Sequence, residues 1–439
     1  MKHKSKFGIF WVGILLFVFL VGGVSFASGS EEYKDEIEEL KARIEMLEKK
    51  IEEAEKERKE LKEEANELKS IKEKFKNLSV HIGVTGIVQG TVNNDDNCDE
   101  GDVVDGSYSA DLEFEADFGR WGTGYLYLEA GGGEEGITDE VPALTGVNAD
   151  ANDFGDNVKV SEAWWEFKPL NNDLLTLTIG KLDPVRYFDA NEVANDETTQ
   201  FLADAFVNSI VVEWPDYTPS FRVQISPIEL VDVNLAVMSA DSDWEDLFDD
   251  VFLIGEINVK PKFGDLQGNY RIYGWMNGLD HVEWDDFKRS GYNENITDDE
   301  KNYGVGISLD QQIPYNITLF ARVGYQDDDI AGVVGELDEP FGVSWMWSVG
   351  AQITGNMWSR PDDVVGLAVG QAILSSDYED YLKANDTDPD DETHLELYYN
   401  LHLNDHISLT PDFQVIDALG GDEDADTVYI FGLRSQIDF

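Results

Sequence analysis

The chain has 439 residues, and its 90 Asp and Glu against 32 Lys and Arg give a formal net charge of −58. This excess of negative charge argues against a nucleic-acid partner, because the phosphate backbone would be repelled. A single cysteine, Cys98, excludes an internal disulfide and a cysteine-rich metal site.

Residues 1–27 are predicted to be a secretory signal peptide. Lys2, Lys4 and Lys6 precede an apolar stretch at 7–24, and small residues stand where a signal peptidase would cut after Ala27. The alternative is an uncleaved anchor, since the apolar stretch approaches the length of a spanning helix. Ser28 follows the predicted cut, which excludes a lipoprotein because that class needs a cysteine there.

Residues 28–79 are predicted to form a single long coiled-coil helix in the periplasm. Between Tyr33 and Phe75 apolar residues recur every three and four positions. The seam consists of Ile37, Leu40, Ile44, Leu47, Ile51, Leu61 and Leu68. At about 1.5 Å per residue, such a helix would reach roughly 65–70 Å.

Charges beside this seam favour association between identical chains. The positions that would meet in a parallel, in-register pair carry opposite charges at Glu36/Lys41, Arg43/Glu48, Lys50/Glu55, Glu57/Lys62 and Glu64/Lys69. An isolated helix also gains from mixed charges, so part of this pattern needs no partner. We expect a homo-oligomer through the helix. The number of chains stays open, because the seam is interrupted at Ala54, Arg58, Ala65 and Lys72.

After residue 80 the average spacing of apolar residues changes from 3.5 residues to 2 residues. A two-residue spacing is typical of β-strands that face lipid on one side and water on the other. One clear example is Asp111, Glu113, Glu115 and Asp117 alternating with Leu112, Phe114, Ala116 and Phe118. The chain ends on the same pattern, with Tyr429, Phe431, Leu433, Ser435 and Ile437 on one face and Gly432, Arg434, Gln436 and Asp438 on the other. The terminal aromatic, Phe439, is typical of the last strand of outer-membrane barrels.

Short turns such as 171–173 and 404–406 separate some strands, and long polar connections such as 130–156 and 280–301 separate others. This pattern predicts that residues 80–439 form a transmembrane antiparallel β-barrel of about 16 strands, within a range of 16–18. The alternative is a soluble sandwich. We favour the barrel because tryptophans near strand ends suit interfacial girdles, namely Trp164, Trp165, Trp214, Trp275, Trp345 and Trp347.

Several stretches resemble the OprB-type carbohydrate-selective porins: GKLDPVRYFDA at 180–190, ANDETTQFL at 194–202, LFARVGYQD at 319–327 and SRPDDVVGL at 359–367. The final strands, with LELYY at 395–399, LTPD at 409–412 and GLR at 432–434, are also similar. The resemblance implies a sixteen-stranded channel in the bacterial outer membrane, usually trimeric or of unsettled oligomeric state, that passes sugars down their gradient. By this analogy a trimer is favoured for the association through the helix, and a dimer is the alternative. Simpler members lack the coiled coil, which is similar to the linker of envelope-tethered porins.

The segment 183–202 is the predicted pore constriction. After Gly180 its apolar and polar residues no longer alternate, so the segment is not expected to be a strand. Irregular backbone at membrane depth is stable only where it is buried in protein or lines water. Its polar candidates suit a sugar, whose hydroxyls need planar hydrogen-bonding groups; they are Asp183, Arg186, Tyr187, Asp189, Asn195, Asp196, Glu197 and Gln200. The alternative is an exposed extracellular loop.

Charged residues of the strands complete the predicted path. By alternation Arg222, Arg271, Arg322 and Arg434 face the lumen, opposite acids that include Glu113, Glu115 and Glu162. Such opposed charges could set a transverse field across the pore. The plainer interpretation is that a polar interior needs its charges neutralised.

Catalysis and cofactors have little support in the sequence. The six histidines lack metal-site spacing, and no nucleophile elbow or phosphate-binding loop is present. We predict no enzyme and no cofactor, apart from Ca²⁺ or Mg²⁺ held loosely at acidic loops. The expected permeants are small sugars and ions. The alternative functions are a cation-favouring general diffusion porin and a structural tether between the outer membrane and the cell wall.

Overall fold

The computed structural model describes residues 32–94, 101–133, 136–151, 157–245, 247 and 249–439. The predicted signal peptide and the loop around Cys98 lie outside these residues. The chain divides into two compact units, Met1–Lys76 and Asn77–Phe439. None of the described helices is both long and apolar enough to cross a membrane.

The first unit contains one helix, α1 (Glu32–Lys74). Its sequence is rich in Glu and Lys, which are strong helix formers, and it contains neither Gly nor Pro. Ion pairs one turn apart add local support, for example Arg43 to Glu39 at 3.2 Å and Lys56 to Glu60 at 3.9 Å. The predicted long helix is therefore present, and its association into a coiled coil stays a prediction.

The second unit is a closed antiparallel β-barrel. Its described strands are β1 (Leu78–Val92), β2 (Val104–Asp117), β3 (Thr123–Gly132), β4 (Val158–Phe167), β5 (Leu175–Leu182), β6 (Thr218–Ile228), β7 (Val231–Ser239), β8 (Val251–Val259), β9 (Lys262–Phe263), β10 (Leu266–Glu283), β11 (Glu300–Ile313), β12 (Ile317–Gln326), β13 (Ile330–Val333), β14 (Val343–Thr354), β15 (Val364–Leu374), β16 (Glu392–Asn404), β17 (Ile407–Asp417) and β18 (Val428–Asp438). The short strands β9 and β13 pair with β10 beside the ring. The other sixteen strands form the ring, which closes because β1 pairs with both β2 and β18. The prediction of sixteen strands is confirmed.

The register of the closing pair confirms which face of β18 points inward. Thr85 of β1 lies opposite Gln436, and Ile87 lies opposite Arg434; all four side chains are buried. Val88 and Leu433, each one residue away along its strand, are exposed on the outer surface. Side chains alternate along a strand, so the two-residue period of the sequence becomes an apolar outside and a polar inside.

Short turns and long connections lie at opposite ends of the barrel. The end that carries Leu78 and Phe439 has the tight turns, such as 314–316 and 405–406. There the backbone amide of Phe439 donates to the carbonyl of Ile82 at 2.9 Å. The other end has the long connections, of which the longest, 183–217, joins β5 to β6.

Three short helices lie in these long connections: α2 (Asp204–Val207), α3 (Trp284–Ser290) and α4 (Ser376–Ala384). Helices α3 and α4 pack with β13 around a buried aromatic cluster. In that cluster the ring centroids of Trp284 and Tyr381 are 5.9 Å apart. The cluster therefore packs α3, α4 and β13 together at the end of the barrel that carries the long connections.

The girdle prediction for tryptophans is correct for some residues and wrong for others. Trp165 and Trp345 are exposed on the outer face, as a girdle requires. Trp164 instead points inward and stacks on Tyr125 with centroids 4.8 Å apart, and Trp275 is 4% exposed in an interior cluster. Trp214 lies in the connection between β5 and β6 and packs against the same cluster. Alternation sends the adjacent Trp164 and Trp165 to opposite faces and places Trp275 on the inward face of β10, whereas Trp214 is not part of a strand.

Candidate pore constriction

The connection 183–217, here called the inserted segment, contacts inward-facing side chains from strands around the ring. Its core is apolar, and Phe188, Phe201 and Phe206 are fully buried. Charged and polar wall residues bind its backbone from β8, β11, β12, β16 and β18. Because those strands surround the lumen, the segment lies inside the barrel rather than outside it.

Arg322 of β12 holds the centre of the inserted segment. Its Nε lies 2.8 Å from Oδ2 of Asp189, and both side chains are fully buried. Its Nη2 also donates to the carbonyl oxygens of Asp189 at 3.0 Å and Ala194 at 3.1 Å, and its Nη1 donates to that of Phe206 at 3.2 Å. A buried ion pair is stable only when its remaining hydrogen-bonding capacity is satisfied, and here the segment's backbone satisfies it.

Other wall residues bind the same backbone further along the segment. Nη2 of Arg434 donates to the carbonyl of Gln200 at 2.6 Å, and its Nη1 donates to that of Glu197. Glu396 accepts from the amides of Leu202 at 2.7 Å and Ala203 at 2.9 Å. These contacts fasten the C-terminal half of the predicted constriction to the wall opposite β8.

Two of the predicted polar residues, Asp196 and Gln200, stabilise the turn of the segment itself. Asp196 accepts from the amide of Thr198 at 2.9 Å. Gln200 accepts from the amide of Asn195 at 2.9 Å and donates to the carbonyl of Glu192 at 3.2 Å. Their side chains therefore define the conformation of this turn.

Arg186 differs from the wall arginines because its side chain keeps 38% of its exposure. The guanidinium lies over the ring of Tyr125, 4.7 Å from the centroid. Its Nη2 is 2.6 Å from Oε1 of Glu162 and donates to the hydroxyl of Tyr125 at 2.9 Å. The same hydroxyl donates to Glu113, so Tyr125 links Arg186 to Glu113, whereas Glu162 pairs with Arg186 directly.

The remaining predicted arginines point inward but are enclosed by their partners. Arg222 is 4% exposed, stacks over Tyr187 at 4.2 Å and lies 3.5 Å from Glu166. Arg271 pairs with Asp310 at 2.7 Å. Arg222, Arg271, Arg322 and Arg434 therefore neutralise or anchor neighbouring groups. Glu115 lies inward on β2, nearer the short-turn end than Glu113, and is exposed.

A second connection inside the lumen was missed by the sequence analysis. Within 136–151, between β3 and β4, the carbonyl of Val147 accepts from Gln89 at 3.0 Å and from Gln414 at 3.1 Å. Glu392 accepts from the amides of Leu144 at 3.0 Å and Thr145 at 2.8 Å. The available signal was the apolar run 141–144 within a connection that otherwise appears polar.

The two inserted connections contact each other and border a polar cavity. The amide of Ala149 donates to the carbonyl of Leu202 at 2.8 Å. The cavity measures about 560 Å³ and is lined by Ala149, Asp183, Glu197, Asp204, Trp214, Asp216 and Tyr217 among others. Carboxylates therefore dominate its polar lining.

Burial raises the pKa of several carboxyl groups on these connections. It raises the pKa of Asp183 to about 7, with the nearby charge of Glu162 adding to the shift, and the pKa of Asp204 to about 6. Burial also raises the pKa of Asp150 to about 7 and places that of Glu197 well above its usual value. The charge of this cavity therefore changes across the neutral pH range.

Comparison with known proteins agrees with this architecture. A family model described as "carbohydrate-selective porin, OprB family" matches residues 105–439. An uncharacterized protein of Aquifex aeolicus is 24% identical over 260 residues, which cover 59% of this chain and 63% of that protein, slightly under two thirds of its length.

Among solved structures, OprB of Pseudomonas putida, determined at high pH, superposes with a TM-score of 0.68 at 18% identity, covering 83% of this chain and 94% of that one. The outer-membrane channel DcaP of Acinetobacter baumannii gives a TM-score of 0.49 at 13% identity, covering 82% and 97%. The first likeness supports the fold. The family match spans most of the barrel, and the chain belongs to the OprB family of carbohydrate-selective porins.

Proposed function

We propose that this outer-membrane channel passes small carbohydrates by passive diffusion, with the inserted segment as its constriction. The observation that carries the proposal is the fixed, exposed guanidinium of Arg186 between the carboxylates of Glu162 and Glu113. A planar donor beside acceptors matches the vicinal hydroxyl groups of a sugar. The stacking on Tyr125 holds the guanidinium in place, so little side-chain entropy is lost when a sugar binds.

We assign the predicted site residues to two roles. Those proposed to face permeating solutes are Arg186, Glu113, Glu115, Asp183, Tyr187, Asp196 and Glu197. Those proposed to set the pore's width by holding the segment are Glu162, Asp189, Asn195, Gln200, Arg322 and Arg434. Their hydrogen bonds to the backbone or side chains of the segment support the second role.

The test is the conductance of the purified protein in planar bilayers, titrated with mono- and oligosaccharides. Wild-type channels should be partly blocked by at least one sugar, and Arg186→Lys should weaken that block, because lysine loses the planar donor and the stacking. Arg289→Lys, at an exposed ion pair on α3, is the matched control. Conductance that no sugar in the panel changes would refute carbohydrate selectivity.

A cation-favouring general diffusion porin is the second candidate. It is supported by the carboxylates of Asp183, Glu197, Asp204 and Asp216 around the 560 Å³ cavity and by the net charge of −58. Reversal potentials in a KCl gradient test it, and equal permeability to K⁺ and Cl⁻ would rule it out. Channel function, rather than catalysis, is what family and fold imply.

A structural role for α1 is the third candidate, supported by a 43-residue helix that precedes the barrel. At about 1.5 Å per residue it would span about 65 Å, enough to reach through part of the periplasm toward the cell wall. Deleting residues 31–77 should change the spacing of the envelope in electron micrographs while conductance is preserved. Unchanged spacing would argue against the tether.

No cofactor is part of this proposal, and divalent cations are at most loosely held. Among the described residues, Asp298, Asp299 and Glu300 place their ligand atoms within 4.8 Å of one another. They lie at the start of β11, on the long-loop side of the barrel. Exposed acidic groups of this kind are common without an ion, so we expect weak binding of Ca²⁺ or Mg²⁺ with no effect on transport.

A further inference from the structure

Helix α1 carries an apolar stripe that nothing covers within the described part of its own chain. Ile37, Leu40, Ile44, Leu47 and Ile51 follow the three-and-four spacing of a coiled-coil seam, and each is more than half exposed. A continuous apolar surface of this kind costs free energy while it is exposed to water, and packing against a partner removes that cost. We infer that other copies of α1 cover it, packed parallel and in register.

The charges that flank the seam support identical chains as partners. In a parallel, in-register pair, residues five positions apart on different chains approach each other across the seam. The five contacts of this kind are Glu36/Lys41, Arg43/Glu48, Lys50/Glu55, Glu57/Lys62 and Glu64/Lys69, and all are attractive. Each occurs twice in a dimer and three times in a trimer.

The same charges disfavour the other arrangements. If one chain is shifted by a heptad, Glu36 meets Glu48 and Lys50 meets Lys62, so half of the remaining contacts repel. If the chains run antiparallel with the seam superposed, two of six distinct contacts attract, Arg43/Glu57 and Glu48/Lys62. The others are Glu36/Glu64, Lys50/Lys50, Lys41/Lys69 and Glu55/Glu55, which repel. The charge pattern therefore specifies both orientation and register.

The seam is also stronger in one half than in the other. From Ile37 to Ile51 every seam position is Ile or Leu. From residue 54 onward, Ala54, Arg58, Ala65 and Lys72 occupy seam positions, which bury less apolar surface or place a charge in the seam. We therefore expect the half remote in sequence from β1 to supply most of the association, independently of what the barrel transports.

Site-specific disulfide formation in the exported full chain tests this arrangement. Cys98 is the chain's one cysteine, so Cys98→Ser gives a background without thiols. In that background Ile44→Cys places the same seam position of two copies side by side, whereas an antiparallel pair would place residue 61 there. Lys49→Cys, on the outer face of the helix, is the matched control. Mild oxidation should link Ile44→Cys into a species of twice the chain mass and leave Lys49→Cys unlinked.

Two charge-reversed variants in the Ile44→Cys background test the register. One reverses Lys41, Glu48, Glu55, Lys62 and Lys69; the other reverses Glu36, Arg43, Lys50, Glu57 and Glu64. When either variant is expressed alone, like charges face each other at all five contacts. Its crosslinked fraction should therefore be as low as that of Lys49→Cys. Coexpressing both, with different tags, should restore a mixed crosslinked species, because opposite charges meet at every interface between the two variants.

The barrel's own association does not confuse this test, because the link forms only between α1 helices. Heat-dependent migration on gels, typical of folded barrels, verifies that each variant has a native barrel. The inference is overturned if Lys49→Cys links as readily as Ile44→Cys, if Ile44→Cys does not link, or if either charge-reversed variant alone links as well as the unreversed chain.

Discussion

The guanidinium of Arg322 and the carboxylate of Asp189 form a fully buried ion pair that joins β12 to the middle of the inserted segment, with Nε and Oδ2 2.8 Å apart. Asp189 has a positive φ of 55°, and its amide donates to Glu256 of β8 at 2.9 Å. The segment is thus fixed at one residue by two strands of the wall, β8 and β12, which have β10 and β11 between them. Conductance should depend on this pair although neither side chain is accessible.

Arg322→Met should release the segment. It leaves Asp189 buried without its counter-charge, which costs about 3–5 kcal/mol in comparable buried pairs. We expect larger and noisier single-channel currents, together with proteolytic cleavage within the segment. Arg322→Met with Asp189→Leu should recover part of the loss, because no charge is then left unpaired. Arg289→Met, at the exposed pair with Asp286, is the control and should change neither measurement.

Glu392→Ala should loosen the second inserted connection. Glu392 accepts from the amides of Leu144 and Thr145 and from that of Gly420 at 2.8 Å, so truncation leaves buried donors unpaired. Each costs about 1–3 kcal/mol. Hydrogen exchange of 143–149 should become faster while exchange in the strands is retained. Exchange in 143–149 that stays as slow as in the wild type would show that other contacts hold the connection.

Cation preference should rise with pH between about 5 and 8. Burial raises the pKa of Asp183 and Asp150 to about 7 and that of Asp204 to about 6, so these groups gain negative charge over that interval. Reversal potentials in a KCl gradient at several pH values measure the change. Asp183→Asn should flatten the profile, and a profile identical to the wild type would exclude Asp183 from the path.

The raised pKa of Asp183 also makes the stability of the protein depend on pH. The pKa of Asp183 is higher in the folded state than in the unfolded chain, so the folded state binds more protons between about pH 4 and 7. Its contribution to stability is present below that window and is lost as pH rises through it. Asp183→Asn should therefore stabilise the protein more at pH 8 than at pH 5, measured as thermal unfolding in detergent. Equal shifts at both pH values would contradict the raised pKa.

A charged substitution on the outer face of β18 should destabilise the barrel. Leu433 lies at the middle of β18 and is exposed on the outer surface, so Leu433→Arg should cost about 2–4 kcal/mol in a bilayer. Glu115→Arg, on the lumen side of β2, should cost much less. Denaturant unfolding in lipid vesicles measures both. Similar costs for the two variants would argue that Leu433 does not meet lipid.

The barrel itself could be predicted because its signals are local. A two-residue period, a terminal aromatic strand and alternating turn lengths are properties of short stretches, and each survives in the structure. The break in that period after Gly180 likewise marked the inserted segment. Local alternation also assigned Arg222, Arg322 and Arg434 correctly to the lumen side.

What the lumen residues do was decided only by contacts between distant parts of the chain. Arg322 and Arg434 are enclosed by the inserted segment, whereas Arg186 stays exposed on Tyr125, and no spacing in the sequence distinguishes them. The insertion of 136–151 depends on Gln89, Glu392 and Gln414, which come from three different strands. Alternation determines which side of the wall a residue faces, but only the folded connections determine whether that residue meets water or another part of the protein.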